Sequence, residues 1–146
     1  MLHTCLNSTF ELPPVEEPDR GKDSEVLDRR QREALYTDTF IALRSLLKTV
    51  LLRDLNPDGL QRIFKHIKVW LCSELDHERE RAMKTAAEML DFYLDNLNVK
   101  KMGVFHNLGS LLGQLVPRCT DPSLPVRVAA MDCIQILLYV QLGYEG

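Results

Sequence analysis

Apolar residues return every three or four positions along most of the chain after residue 38, which is the spacing of one face of an α-helix. The first of these stripes consists of Phe40, Leu43, Leu46, Leu47, Val50 and Leu51. The second consists of Leu60, Ile63, Phe64, Ile67, Trp70 and Leu71. Similar stripes follow within residues 76–97, 105–116 and 123–142. No run alternates apolar and polar residues as a half-buried strand does, so the pattern predicts an all-α protein.

Residues that begin or end helices separate these stripes. Asn56 can accept hydrogen bonds from the free N–H groups of a helix start, and Pro57 suits the first helical position. "NVKKMG" (98–103) and Pro117 interrupt the pattern, while Gly143 suits the end of the last helix. The stripes are therefore predicted to be separate helices joined by short turns.

The N-terminal part of the chain has a different composition. "ELPPVEEPDRGKD" (11–23) is rich in proline and charge, so residues 1–23 are predicted to be a flexible segment. Residues 24–36 have a thin apolar face and predict a short polar helix that begins at Ser24. The helical domain is accordingly expected to span residues 24–146.

The last third of the chain repeats the pattern of the middle third. At an offset of 45 residues, five members of the second stripe align with Phe105, Leu108, Leu112, Leu115 and Val116, and the sixth, Phe64, meets Gly109 as a mismatch. One extra residue in the following gap raises the offset to 46, which aligns Leu90 with Ile136 and Tyr93 with Tyr139. A period of this length over two antiparallel helices is typical of HEAT and armadillo repeats, so we predict an α-solenoid of about five to six helices. The predicted units lie near residues 24–54, 57–97 and 105–142.

The last predicted helix has two apolar stripes. One consists of Val126, Ala130, Cys133, Leu137 and Val140, and the other of Met131, Ile134, Leu138 and Leu142. A helix that is apolar on both sides is expected to be buried on both sides, yet no later segment is left to cover the second stripe. We therefore expect a piece or short form of a longer solenoid that self-associates, or binds a partner, through residues 131–142.

Several longer stretches resemble a known family. "LLRDLNPDGLQ", "DHERERAMKTAAEML", "FHNLGSLLGQLVPRCTDPSLPVRVAAMDC" and "LLYVQLGYEG" are similar to the Maestro HEAT-like repeat family of long intracellular α-solenoids. The resemblance covers residues 38–146 well. It implies a repeat fold, and it implies no enzymatic activity, because the family has no catalytic motif to carry over.

The resemblance also suggests a structural role for two aspartate–arginine pairs. HEAT-like repeats commonly stack an aspartate and an arginine between units, and the internal alignment matches Asp76 with Asp121 and Arg81 with Arg127. We expect these four residues to form a ladder, with Arg127 reaching toward the turn that contains Asp121 or Asp76.

Composition excludes some classes of protein. A net charge of −3 over 146 residues disfavours nucleic-acid binding, which needs clustered positive charge. Four irregularly spaced cysteines fit reduced thiols, and "MLHTCLNSTF" has no secretory signal, so a cytoplasmic location is expected. "CIQILLYVQL" (133–142) is too short to span a bilayer.

Residues suited to catalysis or metal binding do not form a recognisable constellation. The charged run "LDHERERAMK" has the i, i+3 and i, i+4 pairs of a solvated helix face. Cys72, Asp76 and His77 lack the further ligands that a metal site needs. Gly109 and Gly113 lie four residues apart, which predicts close helix packing rather than a phosphate loop. No catalytic residue, cofactor or metal is predicted.

One basic patch leaves a second hypothesis open. It consists of Arg62, Lys65, His66, Lys68, Lys100 and Lys101. The patch fits an ordinary helix surface, but it could also meet an anionic membrane surface. The leading hypothesis is a non-catalytic scaffold that binds protein partners, and the alternative is a peripheral adaptor for an anionic membrane.

Overall fold

The computed structural model describes residues 2–13, 23–97 and 104–145, and every regular element in these ranges is helical. The α-helices are α1 (Leu2–Phe10), α2 (Asp23–Arg53), α3 (Pro57–Leu71), α4 (Asp76–Asp95), α5 (Leu108–Leu115) and α6 (Leu124–Glu145). A 3₁₀-helix, Val116–Thr120, joins α5 to α6. The predicted all-α solenoid is confirmed.

The six α-helices stack as three pairs, α1–α2, α3–α4 and α5–α6. Helix α4 lies at the centre, where it contacts α2, α3 and α6, and its contact with α6 is the most extensive in the molecule. Helices α1, α3 and α5 form the second row, and their mutual contacts are much smaller. The row α2, α4, α6 is therefore tightly packed, whereas the row α1, α3, α5 is splayed.

Helix α3 begins as its sequence predicts. The Asn56 side chain accepts a hydrogen bond from the Gly59 N–H at 2.8 Å, and Pro57 occupies the first turn. A Cβ on Gly59 would lie 1.9 Å from the carbonyl oxygen of Asp54, so the close approach of the preceding turn requires glycine here. The tight turn brings α3 directly back along α2.

The prediction of a flexible segment over residues 1–23 is wrong for its first part. Residues 2–10 form α1, in which Leu6 and Phe10 are fully buried. The Phe10 ring meets Trp70 edge-on at 5.2 Å, and Trp70 Nε1 donates a hydrogen bond to Glu11 at 3.1 Å. A nine-residue helix is too short to be stable alone, so α1 depends on these tertiary contacts, which the sequence pattern does not show. Residues 14–22 lie outside the described ranges.

Helix α2 is longer than predicted. Residues 24–36 and the stripe that begins at Phe40 belong to one continuous helix, because no glycine or proline interrupts them. From residue 29 to residue 39 no side chain is buried. This part of α2 is therefore only lightly packed, with Tyr36 half-buried against α4.

The internal repeat has a different register in the structure. The buried positions of α6 follow those of α4 with the same spacing, so Arg79, Leu90 and Tyr93 correspond to Val126, Leu137 and Val140. Each pair is 47 residues apart, whereas the sequence alignment used 46. A shift of one residue rotates a helix by about 100°, and this rotation changes which arginine points toward the neighbouring pair.

Candidate functional site

A buried charged cluster, centred on Arg79, joins the α3–α4 pair to the α5–α6 pair. Arg79 is 5% exposed and Asp121 is 3% exposed. Arg79 donates from Nε to Asp121 Oδ2 at 2.8 Å and from Nη2 to Oδ1 at 3.0 Å, which is a bidentate ion pair. Arg79 also donates to Asp76 and, at 2.8 Å, to the Ser73 carbonyl oxygen. Arg118 approaches Asp121 from the other side at 3.2 Å.

The cluster is electrostatically balanced. Burial alone would raise the pKa of Asp121, but hydrogen bonds from Arg79 and from the Ser123 N–H, together with the Arg79 and Arg118 charges, hold this pKa below its usual value. The hydrogen bond with Asp121 raises the pKa of Arg79, despite the opposing effect of burial. Both groups therefore stay charged, which is what a structural ion pair at a helix junction requires.

The predicted pairing of Asp76 with Arg81 is wrong. Asp76 pairs with Arg79, three residues ahead on the same helix face, whereas Arg81 is five residues ahead and lies on another side of α4. At the offset of 46 Arg79 aligns with Pro125, and in the register of the buried faces its counterpart is Val126, so no repeated arginine marks this position.

Arg81 instead holds the N-terminal segment. Its Nη1 donates to the carbonyl oxygens of Phe10, at 3.1 Å, and of Leu12, both at the end of α1. Its guanidinium carbon lies 4.4 Å from the centroid of the Tyr36 ring on α2. Burial lowers the pKa of Arg81 from its usual value, opposed by the neighbouring Tyr36. One arginine of α4 thus contacts both helices of the first pair.

Arg127, in the first turn of α6, reaches back to Asp121 in the preceding turn, as predicted. Arg127 Nη1 donates to the main-chain carbonyl oxygens of Asp121 at 2.7 Å and Pro122 at 3.2 Å. Of the four residues proposed as a ladder, Asp76 and Asp121 meet at Arg79, Arg127 contacts the backbone beside them, and Arg81 is elsewhere.

The basic patch is only partly assembled. Lys65, His66 and Lys68 are exposed on α3, but Arg62 pairs with Asp54 at 2.7 Å. Lys100 and Lys101 lie outside the described residues. The side chains that remain as a free basic surface are therefore those of the middle and end of α3.

The outward face of α6 presents a row of exposed apolar side chains, which we call the outer stripe. It consists of Leu124, Val128, Met131, Leu138 and Leu142, each between 48% and 60% exposed. Ile134, which was predicted on this face, is instead half-buried against the core. The other face of α6, the inner stripe, is the buried row that packs on α4.

The two glycines of α5 do not mediate close packing, contrary to the sequence-based expectation. A Cβ added to Gly109 or Gly113 would meet no atom within 4 Å. Both positions are exposed. The missing side chain at Gly113 instead leaves a groove between α3 and α5.

Two features of the described residues bear on function. Residues 2–13, 23–97 and 104–145 contain no group of three or more His, Cys, Asp or Glu side chains placed to hold a metal ion. Within the same ranges, α6 alone has the length and apolar composition of a membrane span, since the helix extends well beyond residues 133–142. Core helices meet this criterion too, and α6 packs its inner stripe on α4.

Stacked antiparallel helix pairs, joined by a buried ion pair and repeated at near-constant spacing, define an α-solenoid of the HEAT type. The family model for Maestro HEAT repeats matches residues 77–146. The chain belongs to the Maestro HEAT-like repeat family.

Relatives in three organisms illustrate the range of similarity. Over its whole length, the chain is 41% identical to Maestro heat-like repeat-containing protein family member 1 of Mus musculus and 40% identical to that of Homo sapiens. A protein of the same name in Dictyostelium discoideum is 28% identical over 68% of the chain and 6% of that protein. The chain spans about 8% of the length of the mouse and human relatives. No solved structure matches the chain.

Proposed function

We propose that the chain is a non-catalytic protein-interaction module whose helix α6 binds a helix of a protein partner. The observation that carries this proposal is the outer stripe. Its members are spaced by four, three, seven and four residues. This spacing places them at the a and d positions of a heptad pattern. Exposed apolar side chains in a continuous row commonly mark a surface that a partner covers.

The internal packing of the molecule supports a helix as the partner. The inner stripe of α6 packs lengthwise along another helix, α4. The outer stripe has the same spacing of three and four residues, apart from one seven-residue step, so a second helix can pack along it in the same way. Gln135 fills the gap in the outer stripe and is exposed. A polar residue within an apolar seam favours one register of the partner helix over others.

The buried thiol of Cys133 is a poor nucleophile, which supports a non-catalytic role. Burial raises the pKa of the Cys133 thiol to about 12, so this group stays protonated at neutral pH. The four cysteines are free thiols, which agrees with a cytoplasmic location as part of this proposal.

Self-association provides the test, because a second copy of the chain is a partner of defined helical structure. Sedimentation equilibrium of the 146-residue chain is expected to show concentration-dependent association. Leu138→Glu places a charge in the outer stripe and is expected to raise the dissociation constant by about tenfold or more. Gly109→Glu adds the same charge at an exposed site on α5 and serves as the matched control.

The proposal fails if the wild-type chain remains monomeric at every soluble concentration. It also fails if the two glutamate variants weaken association equally, because the effect would then reflect net charge rather than the outer stripe.

A further inference from the structure

A groove of about 240 Å³ runs between α3 and α5 on the splayed side of the molecule, which we call the α3–α5 groove. It is lined by Lys68, Leu71, Cys72, Ser110, Gly113, Gln114, Pro117 and Arg118. The groove exists because α3 and α5 touch over a small area while α4 and α6 pack tightly beneath them.

The groove has a positive charge and an apolar floor. Lys68 and Arg118 are the charged residues that line it. Lys68 forms no ion pair with any residue that the structure describes, and Arg118 uses only Nη1, to contact Asp121. Leu71 is almost fully buried and also lines the groove, where it supplies apolar surface. Such a groove favours an anionic ligand that also carries some apolar surface.

Unpaired amide oxygens lie at the same junction. Gln61 Nε2 donates to Ser110 Oγ at 2.8 Å, which bridges α3 and α5. Within the described ranges, the side-chain oxygens of Gln61 and Gln114 are buried without a hydrogen-bond partner. A buried acceptor without a donor is costly, and a peptide N–H group is a donor that could satisfy it.

We propose that the α3–α5 groove binds a short acidic segment of a protein partner. Lys68 and Arg118 bind its carboxylates, and Gln114 accepts a hydrogen bond from its backbone. From Ser110 to Arg118 the groove is about 12 Å long, which accommodates about three to four residues of extended peptide. A phospholipid headgroup would also supply negative charge, but its phosphodiester has no hydrogen-bond donor, whereas each residue of an extended peptide offers an N–H group along the groove. The proposal rests on the proposed interaction function, at a surface separate from the outer stripe.

Fluorescence anisotropy with labelled hexaglutamate tests the proposal on the full chain, with hexaglutamine as the uncharged probe. Hexaglutamate is expected to bind in a salt-sensitive manner, and hexaglutamine is not. Lys68→Glu and Gly113→Gln are each expected to weaken binding by about fivefold or more, the first by removing a cation and the second by filling the groove.

Matched controls exist for both variants. Arg30→Glu makes the same change of charge at an exposed position of α2, and Gly109→Gln adds the same side chain in open space on α5. Both controls are expected to bind hexaglutamate as the wild type does. Circular dichroism and thermal unfolding verify that all four variants are folded.

Three results would overturn the proposal. The first is no binding of hexaglutamate. The second is an equal loss in Lys68→Glu and Arg30→Glu, which would assign binding to net charge. The third is binding to vesicles of phosphatidylcholine and phosphatidylserine, but not to hexaglutamate, with the same dependence on Lys68. Self-association through the outer stripe is measured separately and is expected to be unchanged in Gly113→Gln, so failure of either proposal is distinguishable.

Discussion

The guanidinium group of Arg79 joins the α3–α4 pair to the α5–α6 pair. The arginine is buried with Asp121 in a bidentate contact, and it also donates to Asp76 and to the Ser73 carbonyl oxygen. Removing two charges from water costs free energy, and this cost offsets much of the attraction between them. Such a pair therefore contributes more to the relative orientation of the helices than to net stability. Its position at the junction orients α6 relative to α4.

The first prediction concerns loss of this arginine. Arg79→Ala leaves Asp121 buried without its bidentate partner, and we expect the free energy of unfolding to fall by about 3–5 kcal/mol. Chemical denaturation followed by circular dichroism measures the change. In the double variant Arg79→Ala/Asp121→Ala no lone charge remains, so its loss should be smaller than the sum of the single losses. Simple additivity would mean that the two side chains do not interact.

A second prediction concerns acid sensitivity. The pKa of Asp121 is lower in the folded chain than in the unfolded chain, where it is about 3.9, so its stabilising effect is present above that pH and is lost as the pH falls toward the folded pKa. Asp121→Asn should therefore be less stable than the wild type at pH 7, and the gap should narrow below about pH 4. Chemical denaturation of both proteins at a series of pH values measures this difference in stability.

Asp91 offers a control for the acid experiment. It is exposed on α4 and has no ion pair with a described residue, so Asp91→Asn should differ little from the wild type at any pH. A constant gap for Asp121→Asn between neutral and acid pH would contradict the predicted role of the Asp121 charge.

Among the elements, α1 shows most clearly how a short helix depends on its neighbours. Its two buried side chains, Leu6 and Phe10, pack on the molecule, and Trp70 covers Phe10. Arg81 then donates to carbonyl oxygens at the end of α1, where a positive charge is favourable. A side chain from α4 therefore helps to hold α1, together with the packing of Leu6 and Phe10.

A third prediction follows for this contact. Arg81→Ala should remove hydrogen bonds between a charged group and α1, at a cost of about 1.5–3 kcal/mol confined to the first pair. Hydrogen exchange should show faster exchange in α1, with protection in α4 and α6 retained. Lys84→Ala, at an exposed site on the same helix, should leave α1 unchanged. Uniform loss of protection in all helices would mean that α1 and the other pairs unfold as one unit.

At the scale of the whole molecule, the two rows of helices carry two different surfaces, the outer stripe and the α3–α5 groove. Stacked pairs contact mainly their neighbours, and the outer stripe lies on the face of α6 that is turned away from α4. The α3–α5 groove opens on the splayed row. The two proposed binding surfaces are thus separated by geometry, and the variants described above affect one surface at a time.

The buried side of most helices was predictable from spacing. Positions such as Leu60, Ile67 and Leu90 repeat with the helical period, and the structure buries all three. The start of α3 was predictable as well, because Asn56 and Pro57 act locally. These features depend on residues close together in the chain, which is why a single sequence reveals them.

Features that depend on distant contacts were not predictable in the same way. Helix α1 has too few residues to show a convincing period, and its stability comes from Trp70 and Arg81, which lie far along the chain. The pairing of Asp76 with Arg79 and not Arg81 follows from the i, i+3 spacing on one helix face, whereas the contact of Arg79 with Asp121 depends on how α4 packs against the turn before α6.

The sequence alone therefore established the helical class, the repeat and the two-sided apolar character of α6, because each can be recognised from the periodic spacing of apolar residues along the chain. The packed structure settled which arginine joins the helix pairs, where the N-terminal helix docks and why Gly113 opens a groove instead of closing one. Those outcomes depend on the distances between helices, and a difference of one residue or a few ångströms there changes which side chains meet.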